Sequence, residues 1–310
     1  MTRFFLRRTF SMAILMIAVS VSVFIALELS PGNVATMVLG PYSTEEQRNL
    51  WLEANGYFKP AYVRYLSWLG NALQGDFGPS IRFKVPVGEV LWPRVGNTAI
   101  LGASVMVIVI PLSLLLGVLA GMKEGSVMDR TISTASIITT SIPEYASTVI
   151  AAAVFVFWLG WLPGTSSMSD GFSFRELILP VGVLVLYDFG YVSRITRASM
   201  VEVMTSPYIR TAVLKGLPRR HIVMKHALRN ALLAPITIIM LHINWLVGGI
   251  VIVETLFGYP GLGRYILDAA LFKDVFAIEA AAMVLVIIAV STQLFADIIY
   301  TYLNPRIRYT

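Results

Sequence analysis

Ionisable side chains inside apolar runs are the first places to look for chemistry in a chain as greasy as this one. Five carboxylates sit in or at the edges of such runs: Glu28, Glu144, Asp188, Glu254 and Asp297. An ionised carboxylate is costly in hydrocarbon, so each must face an interior, water or a cation. Asp188 and Glu254 stand out because their two runs flank the most basic stretch of the sequence. They fit two roles, lining or gating a polar pathway, or structural pairing with Arg194 or with hydroxyl and amide donors. The three histidines, His221, His226 and His242, show neither HxxxH nor HExxH spacing, and cysteine is absent, so no metal site is expected. No GxSxG elbow and no facing pair of carboxylates points to an enzyme, and no catalytic residue is assigned. No GxxxxGK[ST] loop cradles a phosphate, and turn geometry accounts for the glycines of "GYPGLGR" at 258–264.

The remaining concentration of charge is "RTAVLKGLPRRHIVMKHALRNALLAPI", residues 210–236. It stands out against a chain that is 56% hydrophobic and only 14% charged, with a mean hydropathy of +0.73. That leaves too little polar material to cover a soluble globule of this size, so the elements positioning these residues belong to a membrane protein.

Near-continuous apolar runs at about 10–29, 98–120, 132–158, 177–197, 231–257 and 281–303 are each near the roughly 20 residues that a helix needs to cross hydrocarbon. The fold class expected is an all-α integral membrane protein with six transmembrane helices. The first run is longer than a signal-peptide core and lacks a clear cleavage site, so it reads as an uncleaved span. An even number of spans places both termini on one side. That side also holds Lys123, Arg130, Arg194, Arg197 and the basic residues of the central stretch, against only Glu124, Asp129 and Glu202, so it is cytoplasmic. The expected organisation is a single transmembrane domain over 1–310, with a long external loop at 30–96 and a cytoplasmic loop at 194–230.

The external loop carries a capping box, Ser43 with Glu46, an Asn55-Gly56 stop, and a second short helix opened by Pro60, with Tyr62, Tyr65, Leu66, Leu69 and Leu73 on one stripe. These read as two short amphipathic helices on the outer membrane face, there either to cap the bundle or to meet a substrate-delivering partner. In the cytoplasmic loop, Ser206 can cap a helix with Pro207 in its first turn, and Gly216-Leu217-Pro218 ends it. A second helix starts near Arg219 and runs into the fifth span. The product is a short rod tied at both ends to membrane helices, built to convert a partner's motion into tilting. A solvated hairpin without a partner is the bland alternative. DNA binding does not fit ends welded to spans, so nucleic acid is not an expected partner.

The loop resembles the EAA-type loop of ABC importer permeases. "LSPGN" at 29–33, "GDFGPS" at 75–80, "LGWLPGT" at 159–165, "SRITRASMVEVMTSPYIRTAVLKGL" at 193–217, "HALRNALLAPIT" at 226–237, "VETLFGYPGLGR" at 253–264 and "NPRIR" at 304–308 together resemble the B-type subunit of the dipeptide/oligopeptide/nickel permease family across essentially the whole chain. One departure is that Arg210-Thr211-Ala212 stands where the general pattern has Glu-Ala-Ala, which puts any contact of that glutamate in doubt. The resemblance implies a type I ABC importer permease fold and an ATPase-coupling role for Tyr208, Arg210, Ala212, Lys215 and Gly216. It implies a second, C-type permease, two ATPase subunits that bind ATP and Mg, and an extracytoplasmic solute-binding protein, with no cofactor on this chain. The implied cargo is di- or oligopeptides, with nickel chelates, glutathione, opines or oligosaccharides also within the family's range. An ion-driven secondary transporter would instead need paired internal repeats and interrupted helices, which the sequence lacks.

Overall fold

A computed structural model describes residues 2–29 and 34–303, so most of "LSPGN", all of "NPRIR" and the side chain of Asp297 lie outside the described residues. The helices in chain order are α1 Thr2–Glu28, α2 Val34–Leu39, α3 Glu45–Ala54, α4 Ala61–Ala72 and α5 Val87–Met122. Next come α6 Val127–Ser141, α7 Glu144–Ala152, α8 Phe174–Met204, α9 Pro207–Leu214 and α10 Arg219–His221. The chain closes with α11 Leu228–Ala231, α12 Leu233–Phe257, α13 Leu262–Leu271 and α14 Val275–Leu303. Two π-helical stretches, Ala153–Trp158 and Ile222–Ala227, lie between α7 and α8 and between α10 and α11. Among the described residues the only β feature is an isolated bridge between Pro79 and Pro86.

All six expected apolar runs fall on helices, but their number of crossings is not simply six. Among the described residues four helices are unbroken, long and apolar enough to span, and up to seven crossings result if each bent pair counts as one. The run at 132–158 bends by 99° between Ser141 and Glu144. The cause is local: Pro143 disfavours helical geometry in the residue before it, and Ile142 is accordingly extended, at φ −90° and ψ 122°. Backbone carbonyls freed at such a break must find partners inside the protein.

The chain packs as two compact units. The first comprises Met1–Thr98 with Pro260–Ser291. Its core joins Val87 and Leu91 of α5 to Leu262, Tyr265 and Ala269 of α13 and to Ala277, Ala280 and Ala281 of α14. Asp274 fastens this unit, as its Oδ2 accepts from Ser80 Oγ at 2.5 Å and from the Arg82 amide at 3.0 Å, while Oδ1 accepts from the Ala277 amide in the first turn of α14. The capping box at α3 lies one residue beyond the expected Ser43 and Glu46. Thr44 accepts from the Gln47 amide at 3.2 Å, and Gln47 Oε1 accepts from the Thr44 amide at 3.0 Å, while Ser43 Oγ donates to the Gly40 carbonyl. Asn55 closes α3 and Gly56 is left-handed, as the sequence suggests. On α4 the expected stripe is mostly outward: Tyr62, Leu66 and Leu73 are exposed, and Trp68 is the buried residue.

The second unit comprises Ala99–Tyr259 with Thr292–Thr310. Its core is an apolar cluster from α5, α8 and α12, including Leu101, Val105, Val109, Leu184, Ile239 and Val253. Gly117 and Gly121, four residues apart on α5, form a small-residue face, and α8 packs against it. A Cβ at Gly117 would stand 2.5 Å from Thr196 Cβ and 2.7 Å from the Ser193 carbonyl, and one at Gly121 2.6 Å from Met200 Cβ and 2.8 Å from the Arg197 carbonyl. Small residues let backbones approach this closely, which is how helices associate where lipid supplies no hydrophobic drive. Gly121→Ala is therefore expected to destabilise by about 1–3 kcal/mol through overpacking. Gly96→Ala on the same helix meets nothing within 4 Å and is expected to be neutral or mildly stabilising. Thermal unfolding of the detergent-purified chain checks both.

Candidate functional site

The connection from α8 to α12 forms the expected rod. Ser206 stands at the N-cap with extended backbone and Pro207 occupies the first helical position. Its hydroxyl does not cap α9, however, and donates instead to the Val203 carbonyl at 2.6 Å, finishing α8. The far end closes in a Schellman arrangement, with Gly216 N–H donating to Val213 at 2.9 Å and Leu217 N–H to Ala212 at 3.3 Å. Gly216 has φ +74° and its Cβ position is empty space, so backbone conformation alone calls for glycine. Pro218 then starts the return path through α10, the π-helical stretch and α11.

The rod has two faces. Ile209 and Ala212 are buried, against Met200 of α8 and against Ile222, Val223, Ala227 and Ala231 of the return path. Tyr208, Arg210, Lys215 and Gly216 are exposed, and Tyr208 Oη accepts from Asn230 Nδ2 at 2.9 Å. Four of the five sequence candidates thus share the outer side, and Ala212 belongs to the anchor. Sequence reasoning missed Val213 and Leu214, which are 58% and 80% exposed. The available signal was two apolar residues beyond inner positions already taken by Ile209 and Ala212.

Beneath the rod, α8 is clamped to the α5–α6 turn. Asp129 is buried, and Arg197 Nε and Nη2 donate to its Oδ1 and Oδ2, the second bond at 2.8 Å. The Gly125 amide adds 2.8 Å and Ser133 Oγ 3.2 Å to the same carboxylate, and Glu124 lies 3.8 Å from Arg197. On the return path, Arg219 Nη2 donates to the Met122 carbonyl at 2.8 Å, tying it to the end of α5.

Asp188 and Glu254 are 1% and 0% exposed. Asp188 does not pair with Arg194; its Oδ1 lies 3.2 Å from His242 Nδ1, and the His242 ring packs at a tilt against Tyr191, with centroids 4.6 Å apart. Asp188 Oδ2 and Glu144 Oε1 are buried without a hydrogen-bond partner among the described residues, and the two carboxyls lie within electrostatic range of each other and of Tyr187. His242 and Glu254 are three helical turns apart on α12, roughly 18 Å at 1.5 Å per residue. Asp188 and Glu254 therefore do not form one site; the missed partners are His242 and Glu144, which come close only through the fold.

The sequence matches the family described as the binding-protein-dependent transport system inner membrane component over residues 113–309. Its N-terminal counterpart matches residues 1–112. The chain belongs to this family. The permease is therefore a multi-pass inner membrane component of a transport system and not an enzyme. It is similar to the oligopeptide transport system permease protein AppB of Bacillus subtilis strain 168, with 35% identity over 100% of both chains. It is also similar to the dipeptide transport system permease protein DppB of Alkalihalophilus pseudofirmus, with 30% identity over 100% of both. The glutathione transport system permease protein GsiC of Escherichia coli O1:K1 / APEC is 31% identical, again over 100% of both. Among solved structures, an amino acid ABC transporter chain superposes with TM-score 0.55 and 13% identity, over 69% of the permease and 94% of that chain. An inward-facing MetNI methionine ABC transporter chain gives 0.52 and 20%, over 70% and 95%. These two comparisons speak to the fold alone, one shared with chains of ABC transporters.

Removing Arg197 leaves the buried Asp129 carboxylate without its countercharge, so Arg197→Gln is expected to cost about 3–5 kcal/mol. Gly216→Ala forces a side chain into left-handed backbone and is expected to cost about 1–2 kcal/mol. Thermal unfolding of the detergent-purified variants reads both.

Proposed function

We propose that the permease forms half of the translocation pathway of an ATP-dependent, binding-protein-dependent importer, and that α9 is where a separate ATPase acts on it. The carrying observation is the two-faced rod, with Ile209 and Ala212 locked into α8 and the return path while Tyr208, Arg210, Lys215, Gly216, Val213 and Leu214 face outward. Movement of a docked partner is then transmitted through the buried face to α8, and through the return path to α12, which tilt and open the pathway alternately to either side.

In this reading the rod and both termini are cytoplasmic, the chain acts as one six-span permease domain with its third span bent at Pro143, and a related second permease completes the pathway. Two ATPase subunits bind ATP and Mg, and an extracytoplasmic binding protein delivers the cargo. Short peptides are the proposed cargo, supported by relatives named for oligopeptide, dipeptide and glutathione transport that align end to end. Asp188 is proposed to line or gate the pathway, with Glu254 acting at a separate level. The support is burial of both carboxyls and the unpartnered Asp188 Oδ2.

Leu214→Asp places a charge on the docking face without touching the buried one. It is expected to lower ATP-driven peptide uptake at least tenfold and to release the ATPase on co-purification, with thermal stability unchanged. Normal uptake would remove α9 from the coupling role. Asp188→Asn is expected to cut uptake at least fivefold while the assembled complex is recovered in normal yield. Vesicles containing only this chain should transport nothing.

A further inference from the structure

The outward face of α4 is apolar and takes no part in the coupling path through α9. Tyr62, Leu66 and Leu73 are 69%, 61% and 81% exposed, and Leu69 is half-buried. At about 100° per residue, these four positions fall within about 60° of one another around the helix axis. Arg64, Ser67 and Asn71 fall on the opposite side and line the cleft beside α1 and α14. The helix is therefore two-faced, with polar side chains toward the cleft and an apolar stripe turned away from it.

What covers the stripe follows from where α4 is held. The apolar stretch Thr9–Glu28 of α1 has 20 residues, which extend for about 30 Å, the thickness of the hydrocarbon core. Glu28 therefore marks one edge of that core. Three contacts fix α4 to the last turns of this stretch: Tyr65 Oη donates to Ser20 Oγ at 3.1 Å, the Tyr65 ring meets Phe24 edge-on with centroids 5.3 Å apart, and Arg64 Nη2 donates to Glu28. Ser20 lies about 12 Å inside Glu28 along the helix. The contacts thus bracket the depth of about 5–10 Å to which an amphipathic helix sinks its apolar face in a membrane interface. Arg64, the one charged residue of α4, points away from the stripe and is neutralised by Glu28, as an ionisable group at this depth requires. The stripe is also continuous with a surface that faces lipid: Ile17 and Ile25 of α1 are 57% and 48% exposed, and Tyr65, which holds α1, directly precedes Leu66.

We infer that α4 is an in-plane membrane anchor, sunk into the leaflet at the Glu28 end of α1, with Tyr62, Leu66, Leu69 and Leu73 packed against lipid acyl chains. The partner of this face is the bilayer itself, and a substrate-delivering protein must meet the chain elsewhere. On the orientation proposed above, the leaflet is the outer one.

The test uses the full-length chain, purified with whatever subunits remain attached and placed in phosphatidylcholine nanodiscs, without binding protein or ATP. The chain has no cysteine, so Leu66→Cys, Leu73→Cys, Asn71→Cys and, on α1, Ile25→Cys each take one nitroxide label, with the signal of the unsubstituted sample subtracted. Collision of each label with oxygen, which concentrates in lipid, and with a water-soluble nickel chelate is read by electron paramagnetic resonance. The oxygen-to-nickel ratio at Leu66→Cys and Leu73→Cys should exceed that at Asn71→Cys at least fivefold and match that at Ile25→Cys within about twofold. Two stripe positions are labelled, and both are exposed, so the reading does not depend on one substitution being tolerated. Nickel that reaches the stripe as readily as it reaches Asn71→Cys would place the stripe in water and overturn the inference. Exclusion of both reagents, with immobilised spectra, would show that protein covers the stripe and would overturn it equally. Neither ATP nor transport is read, so this anchor and the coupling role of α9 stand or fall separately.

Discussion

Two glycines let α5 and α8 approach so closely that a Cβ on either would meet a backbone carbonyl at 2.7–2.8 Å. In hydrocarbon such packing replaces the hydrophobic effect as the force that holds helices together. The rest of the second unit follows from this contact. It aligns Arg197 with Asp129 across the α5–α6 turn, sets Met200 where the rod can pack on it, and brings the end of α5 within reach of Arg219. The rod therefore rests on a braced platform.

Charge is distributed by the same economy of burial. The chain keeps few ionisable groups, and those inside are either fully engaged or incompletely so. Asp129, with four donors to its two oxygens, belongs to the first kind and acts as a fastener. Asp188, Glu144 and Glu279 belong to the second kind, each with a buried oxygen lacking a partner among the described residues. A buried acceptor left unpaired costs about 1–3 kcal/mol, and a stable fold retains such groups where something else comes to meet them. The proposed pathway beside Asp188 and Glu144 is a place where that condition arises.

Much of this was legible in the sequence because apolar length and turn chemistry are local. The rod's bounds follow from Pro207 and Gly216, and the six apolar runs from composition. The features that escaped depend on contacts between distant segments or on small offsets. Thr44 and not Ser43 caps α3, since both residues satisfy the capping pattern and only the backbone decides between them. The bend at Pro143 is marked in the sequence by a proline inside an apolar run, but its angle of 99° is not. Burial of Trp68, which the stripe does not include, is set by the tertiary packing of α4, while exposure of the stripe itself is what a membrane surface favours. Asp188 meets His242 across 54 residues, a pairing no spacing rule could reveal.

The central claim is that α9 and the end of α8 move as one body. The chain contains no cysteine, so the pair Met200→Cys and Ile209→Cys, drawn from one buried cluster, can be cross-linked without background in the assembled transporter. The account predicts that uptake driven by ATP continues after the cross-link is formed, since the two segments never separate during the cycle. Loss of uptake with the complex intact, restored on reduction, would show that the rod hinges on α8 and would contradict the account.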